Sequence, residues 1–472
     1  MEVKRRFTAL RIIAAFGFAA ATLCAGPAAA QARFADPRAA AIDAYLRSYA
    51  EAGTFMGSVL VAEGGKPLIT GGYGLADLSG AANDARTRFR IGSISKSFTA
   101  AAVLKLQEEG KLSLDDSVAR HLPGFPRGEA ITIRQLLTHS SGIPDYLYLG
   151  DAYLELGEPG SLDALVATFS GEKPDFEPGQ KFAYSNSGYV LCAKIIERAS
   201  GRAYADYVEE RILRPAGMSG SGLRYESLAA LGGKAVGYHF TGEGYVPTPP
   251  WHSSKAAGAG AVCSSAEDLL AWSRSLLSGK VIGPASLAAM LEPTALSRKS
   301  YGMGWYRRPF LGRDRIYHGG YLFGFRSDLS IYPAEGLTIV LLSNVDTAPT
   351  RLMAEDLARI VFGEPWQAPS FKAATSIDAS AYPRYAGTYD TSEVFGPGAT
   401  MSVYAEGEAL WYRSNTLYDS LALPIHIYPE SPSSFFDKTG TARYEFIAGG
   451  DGKAEAIRIS DGEDSFAFKR IR

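Results

Sequence analysis

Ser93 and Lys96, three residues apart in Ile91-Gly92-Ser93-Ile94-Ser95-Lys96-Ser97-Phe98, are the pair in this chain best suited to chemistry. On a helix that spacing puts both side chains on one face, a turn apart. A serine hydroxyl with a neutral amine against it is a nucleophile with its own base, one of the few ways to acylate a serine without histidine. Residues 98–110 are rich in strong helix formers and end on glycine. Apolar residues surround most of that cylinder, so the helix start is expected to be buried. Burial and the positive helix end both disfavour an ammonium, so Lys96 should titrate low enough to accept a proton. The free N–H groups at the helix start lie beside Ser93 and suit a developing oxyanion. The other Ser-x-x-Lys, Ser170-Gly171-Glu172-Lys173, sits in a Gly/Glu/Pro-rich stretch that reads as a loop.

Two further patterns follow. Tyr184-Ser185-Asn186 ends a turn that leads into the helical run 190–198. A phenol beside cations can act as general base and then as acid towards a leaving group. His318-Gly319-Gly320 precedes two apolar strands separated by the turn Pro333-Ala334-Glu335-Gly336. Its glycines allow the strand backbone to approach a bound substrate, so a bulky change at Gly320 is expected to cost activity through position rather than folding.

Ser-x-x-Lys, Tyr-x-Asn and His-x-Gly in this order resemble the serine β-lactamase/penicillin-binding-protein superfamily. The resemblance is strongest to the branch holding class C β-lactamases, D-aminopeptidases, D,D-carboxypeptidases and β-lactamase-like esterases. The stretches 112–116, 131–143, 177–179 and 264–269 also fit, and the likeness covers about residues 40–365. It implies that Ser93 is the acylated nucleophile, Lys96 its proton-accepting neighbour and Tyr184 the shared base and acid. Either Lys96 or Tyr184 is open as the first proton acceptor. Asn186 would contact the substrate amide or carbonyl, and the backbone N–H groups of Ser93 and Tyr321 would form the oxyanion hole.

The third motif departs from the penicillin-recognising pattern, in which Lys-Thr-Gly binds a substrate carboxylate. Here the first residue is His318, mostly neutral at pH 7, and Gly319 has no hydroxyl. Ester or amide substrates, including peptides carrying D-residues, are therefore favoured over the β-lactamase and D,D-carboxypeptidase alternatives. An alternative of another class is a catalytically idle binding or sensing protein on the same fold. A literal Lys438-Thr439-Gly440 lies far downstream between strand-like runs and reads as a solvated hairpin turn.

The remaining features bound the reading. With 46% hydrophobic and 21% charged residues, 472 residues suffice for two globular domains, and a net charge of −2 gives no reason to expect nucleic acid or an anionic membrane as partner. Residues 1–32, with Lys4-Arg5-Arg6, an apolar run and Ala30-Gln31-Ala32, read as a cleavable signal peptide, placing the chain in the periplasm or outside the cell. No later segment is apolar and long enough to span a bilayer. Cys192 and Cys263 lie in small, apolar contexts and read as buried thiols. No metal-ligand or phosphate-loop motif appears, so no cofactor or metal is expected, and the partner is a small-molecule or peptide substrate.

A mixed α+β fold is expected: an antiparallel sheet flanked by helices, plus a helical lobe over 94–110 and 133–216 that carries Ser93 and Tyr184. A hairpin at 56–70 should join the strands after His318, with the cleft between lobe and sheet. Residues 33–366 form this hydrolase domain, 367–381 a linker, and 382–472 short alternating strands of a small lipocalin-like β-barrel. His139 is expected to hydrogen-bond its own turn. Tyr146, Tyr148, Trp251, Trp305, Phe323 and Phe325 are expected mainly to pack. Ser219 and Ser221 do not complete a Gly-x-Ser-x-Gly, which argues against an α/β-hydrolase.

Overall fold

The computed structural model describes residues 34–472 except 150–156, 225–232, 250, 298–299, 370–373, 396–397, 416–422, 439–441 and 462–463. The proposed signal peptide therefore lies outside the described residues.

Six antiparallel strands form the central sheet: β1 (Gly57–Glu63), β2 (Lys66–Tyr73), β3 (Tyr306–Arg307), β4 (Ile316–Leu322), β5 (Phe325–Tyr332) and β6 (Leu337–Ser343). Their order is β2-β1-β6-β5-β4-β3, so the N-terminal hairpin does join the strands after His318. Alternate side chains of each strand leave opposite faces. On one face Val59, Val61, Ile339 and Leu341 pack under α1 (Pro37–Glu51) and a helix at the end of the domain, Thr350–Phe362. On the other, Leu60, Leu329, Ile331, Val340 and Leu342 join the core of the helical lobe. Burial on both faces explains why β6 reads as an unbroken apolar run.

The lobe is built around α2 (Ser95–Glu108) and α3 (Asn186–Ser200). Every α2 residue from Ser95 to Leu104 is buried. Phe98 stacks on Trp272 at 4.4 Å between ring centroids, and the Trp272 indole donates to Ser97 Oγ at 3.2 Å. Ser95 and Thr99 are satisfied in this core by the segment before Cys263. Val262 N donates to Ser95 Oγ (3.0 Å), and Thr99 Oγ1 donates to Gly258 O (2.6 Å). These bonds fix the carbonyls of that segment beside the helix start. Cys192 and Cys263 are both free and buried, as expected from their contexts.

The C-terminal eight strands run consecutively from Gly387–Asp390 to Asp464–Lys469 as one antiparallel sheet. A bridge between Tyr389 and Arg470 brings its first strand to its end, so the sheet is a nearly closed barrel. Tyr385, Tyr389, Phe435, Tyr444, Phe446 and Phe468 fill the interior. Ile377 and Ala379, on the expected linker, already pack against this core.

The barrel grips the tip of the hairpin Tyr238–Phe240/Tyr245–Pro247. His426 N donates to Thr241 O at 3.0 Å, and Tyr428 Oη donates to Gly242 O at 2.9 Å. This corrects the expectation for Lys438. It is half-buried, with Nζ 3.4 Å from Gly242 O and 4.1 Å from the centroid of the Tyr428 ring, so it serves a contact between the two parts of the chain. Thr439 and Gly440 lie outside the described residues.

Candidate active site

Ser93 occupies a single helical turn, Gly92–Ile94, that feeds directly into α2. It is partly accessible, whereas Lys96 is wholly buried. Lys96 Nζ lies 2.9 Å from Ser93 Oγ, 2.8 Å from Asn186 Oδ1 and 2.9 Å from Ala259 O. The last two oxygens only accept. A neutral amine gives them its two N–H groups and turns its lone pair to the Ser93 hydroxyl. Burial pushes the Lys96 pKa down to about 7, against the pull of the nearby Asp145 carboxylate. The neutral form is therefore well populated near pH 7. In the other Ser-x-x-Lys, Ser170 ends a helix and Lys173 is exposed.

Tyr184 lies two residues before α3, next to its capping Ser185, and its ring centroid is 4.8 Å from Lys96 Nζ. His139 holds the segment around it. Ala183 N donates to His139 O (2.9 Å), Ser185 N donates to His139 Nδ1 (3.1 Å), and the His139 and Tyr184 rings lie 4.1 Å apart at 30°. The His139 backbone N–H closes its own turn on Leu136 O at 3.4 Å, as expected, while its carbonyl and ring brace the tyrosine, a role the sequence did not suggest. Its backbone sits at φ 55°, a region costly for a non-glycine residue, so this placement is maintained against strain. Burial, Lys96 and His318 hold its imidazole well below the ordinary pKa, leaving Nδ1 able to accept.

Asn186 opens α3. Its backbone N–H and side-chain Nδ2 both donate to Asp145 Oδ2, at 3.0 and 2.7 Å. Asp145 is the site residue that sequence reasoning missed. Its position after Pro144 marks a turn, but the signal that would expose it is a contact with a residue 41 positions away.

His318 lies on β4, paired in register with Leu329. It is 3% exposed, and burial with the nearby Lys96 pushes its pKa down to about 3. Its Nδ1 donates to Gly319 O at 2.6 Å, and its Nε2 lies 3.2 Å from Tyr301 Oη. The ring is a neutral imidazole at any working pH.

The close approach made by Gly320 is to the protein itself. A Cβ there would stand 1.9 Å from Ile91 O and 2.3 Å from Ser327 Oγ. Gly92, at φ 51°, leaves room on the other side, where a Cβ would lie 2.6 Å from Tyr321 N. Ser327 Oγ donates to Ile91 O at 2.9 Å and ties β5 to the same turn. The two glycines thus let β4 sit against the Ser93 turn, bringing the backbones of Ser93 and Tyr321 to one wall. The expectation that Gly320 acts only through substrate approach is corrected accordingly. Gly320→Val is expected to lower the melting temperature, at a cost of about 1–3 kcal/mol or more, as well as activity. Gly319→Ala is the control, since its Cβ would meet Ser327 O at an ordinary 3.5 Å. Thermal melts of both variants check this, and an unchanged melt for Gly320→Val would refute it.

A cleft opens over Ser93, with Asn186 and Tyr321 beside it. Its walls are Tyr146, Leu147, Trp251, Leu322 and Phe323 with small residues of 256–260. Tyr146, Trp251 and Phe323 therefore line the cleft while also packing, whereas Trp305 and Phe325 are core residues and Tyr148 is exposed. Among the described residues no His/Cys/Asp/Glu group could hold a metal, and no helix is long and apolar enough to cross a membrane.

The family model Beta-lactamase matches residues 39–362. A penicillin-binding protein of Bacillus subtilis (strain 168) is 31% identical over 440 residues, 88% of this chain and 95% of its own length. Among solved structures, a D-stereospecific amidohydrolase from Streptomyces sp. covers 68% of this chain and 99% of its own, with 26% identity and a TM-score of 0.59. The octameric penicillin-binding protein homologue from Pyrococcus abyssi covers 91% of this chain and 99% of its own at 24% identity and a TM-score of 0.63, a likeness of fold. The family match contains Ser93, Lys96, Tyr184, Asn186 and His318 within one span, and with a relative this similar along nearly its whole length the chain belongs to the β-lactamase family of serine hydrolases.

Proposed function

We propose that the protein hydrolyses esters or amides, including amides of D-residues, through an acyl-enzyme on Ser93. Ser93 Oγ attacks the substrate carbonyl while its proton passes to the Lys96–Tyr184 pair. The oxyanion is held by the backbone N–H groups of Ser93 and Tyr321, and Asn186 contacts the substrate. The carbonyl–leaving-group bond then breaks, and Tyr184 returns the proton to the departing alcohol or amine. Water adds to the acyl-enzyme by the same relay, releasing the acid and restoring Ser93. In the same proposal, residues 1–32 direct export, 33–366 are the hydrolase domain, 367–381 the linker, and 382–472 the appended barrel.

One observation carries the choice of substrate. The residue that begins the third motif, His318, is buried and neutral, and Gly319 beside it offers no hydroxyl. A substrate carboxylate finds no cation at His318 and no hydroxyl at Gly319, while the aromatic and aliphatic walls suit an uncharged acyl group. The similarity to a D-stereospecific amidohydrolase supports the amide arm. The contact of Lys96 with both Ser93 and Asn186 weighs against an idle binding protein, which has no need of a buried, near-neutral lysine. For 4-nitrophenyl acetate, kcat/KM is expected to exceed that for benzylpenicillin or a D-Ala-D-Ala peptide by about 10- to 100-fold, the worth of a charge-assisted pair. A preference for the β-lactam would overturn this reading and point to another cation, such as Arg326.

A further inference from the structure

Asp145 belongs to none of the three motifs, yet it is 8% exposed and every polar contact on its two oxygens comes from an N–H donor. Oδ2 takes both donors of Asn186, and Oδ1 accepts from Leu147 N at 3.1 Å, capping the turn Tyr146–Tyr148. That environment fits a carboxylate and has no acceptor for a carboxylic proton.

We propose that Asp145 is a positioning residue for the hydrolytic reaction: it locks the Asn186 amide so that its oxygen holds Lys96 on Ser93, and it stands one amide away from that lysine. This rests on the reading of Ser93 as nucleophile and extends it to what controls the base. An asparagine amide has two ends of similar size, and only its neighbours choose between them. Here Nδ2 lies 2.7 Å from the carboxylate and Oδ1 lies 2.8 Å from Lys96 Nζ. Turned over, the amide would set N–H against the lysine and oxygen against carboxylate, losing both bonds. The lock is supported from behind: Ser187 Oγ donates to Pro144 O (2.7 Å), and Tyr146 N donates to Ser187 Oγ (2.8 Å).

The groups facing Lys96 define the electrostatics. From α3 and the residues before it come Asn186 and the Tyr184 and Tyr189 rings, with His139 behind Tyr184. From β4 comes His318, and from the segment before Cys263 comes Ala259 O. Both histidines are neutral, leaving Asp145 as the anion that opposes the effect of burial on the lysine. Its own carboxyl is pushed above the ordinary range by burial and drawn back by its N–H donors and Lys96.

The sign of the pH effect follows. Attack requires the neutral amine, so in the wild-type protein the rate rises with pH through about 7. Asp145→Asn keeps an oxygen for Asn186 but deletes the charge, so the lysine loses its proton more readily and the acidic limb moves to lower pH, on the order of one unit. Asp145→Ala also frees the amide, and kcat for 4-nitrophenyl acetate is expected to fall roughly 100-fold with little change in KM. The experiment is the pH dependence of fluorophosphonate labelling and of ester turnover for wild type, Asp145→Asn and Asp145→Ala, with thermal melts. If Asp145→Ala does not fold, the limb of Asp145→Asn decides alone. An unshifted limb in Asp145→Asn, with normal wild-type labelling at Ser93, overturns this inference and leaves the proposed function standing. A wild-type chain labelled elsewhere than Ser93 overturns both.

Discussion

Replacing Ser93 by alanine is expected to abolish the single fluorophosphonate adduct and to lower ester turnover by a factor on the order of 10³–10⁶. The size of that loss follows from the geometry. Ser93 is the partly accessible hydroxyl at the floor of the cleft, and the buried Lys96 amine lies 2.9 Å from it. Neighbouring hydroxyls cannot substitute. Ser95 Oγ accepts from Val262 N and Ser97 Oγ donates to Ile94 O, so both are engaged in the core and fully buried. The competing Ser170 stands at the end of a helix, and Lys173 is exposed to solvent. Intact mass after labelling reads the result directly. An adduct on Ser170, or full turnover in folded Ser93→Ala, would remove Ser93 from the mechanism.

How much of this was legible in the sequence depended on the range of the interaction involved. The Ser93–Lys96 contact is local: a spacing of three on a helix of strong formers puts the two groups together, and the structure has them so. The strands β5 and β6 were legible because the turn 333–336 separates their apolar runs, and burial on both faces of β6 required such a run. The barrel strands were legible from their alternation. What escaped were contacts set by tertiary packing. His139 was read as bonding its own turn, and its N–H does so at Leu136 O, but the partners of its carbonyl and ring lie 44 and 46 positions on, at Ala183 and Ser185. Asp145 is an ordinary turn residue until the fold places it under Asn186. Lys438 looked solvated because hairpin tips usually are, and nothing local announced that Gly242 would dock there. The role of Gly320 was misread for a similar reason, since the atom it accommodates, Ile91 O, belongs to a segment more than two hundred residues earlier.

Lys96→Ala and Tyr184→Phe are each expected to remove most turnover, about 10³-fold or more, while the double variant falls little further. Two independent catalytic contributions would multiply, so the double variant would then lose on the order of 10⁶. The structure favours the first outcome because neither group has a complete function without the other. The Lys96 lone pair faces Ser93 only while its two N–H groups are held by Asn186 and Ala259, and the Tyr184 ring lies against that same nitrogen, 4.8 Å from its centroid. With the amine deleted, the phenol loses the nitrogen with which it would exchange the proton. With the phenolic oxygen deleted, the amine has no partner to carry the proton on to the leaving group. No nearby imidazole can take over: His318, with its pKa near 3, binds no proton in the working range, and His139 uses Nδ1 to hold Ser185. A proton relay broken at either point is broken once, so the second substitution finds little left to remove. The measurement is kcat/KM for 4-nitrophenyl acetate in the four members of the cycle, each shown to be folded by thermal melt. Multiplying losses would mean that lysine and tyrosine serve separate steps, with Lys96 acting on attack and Tyr184 on departure alone.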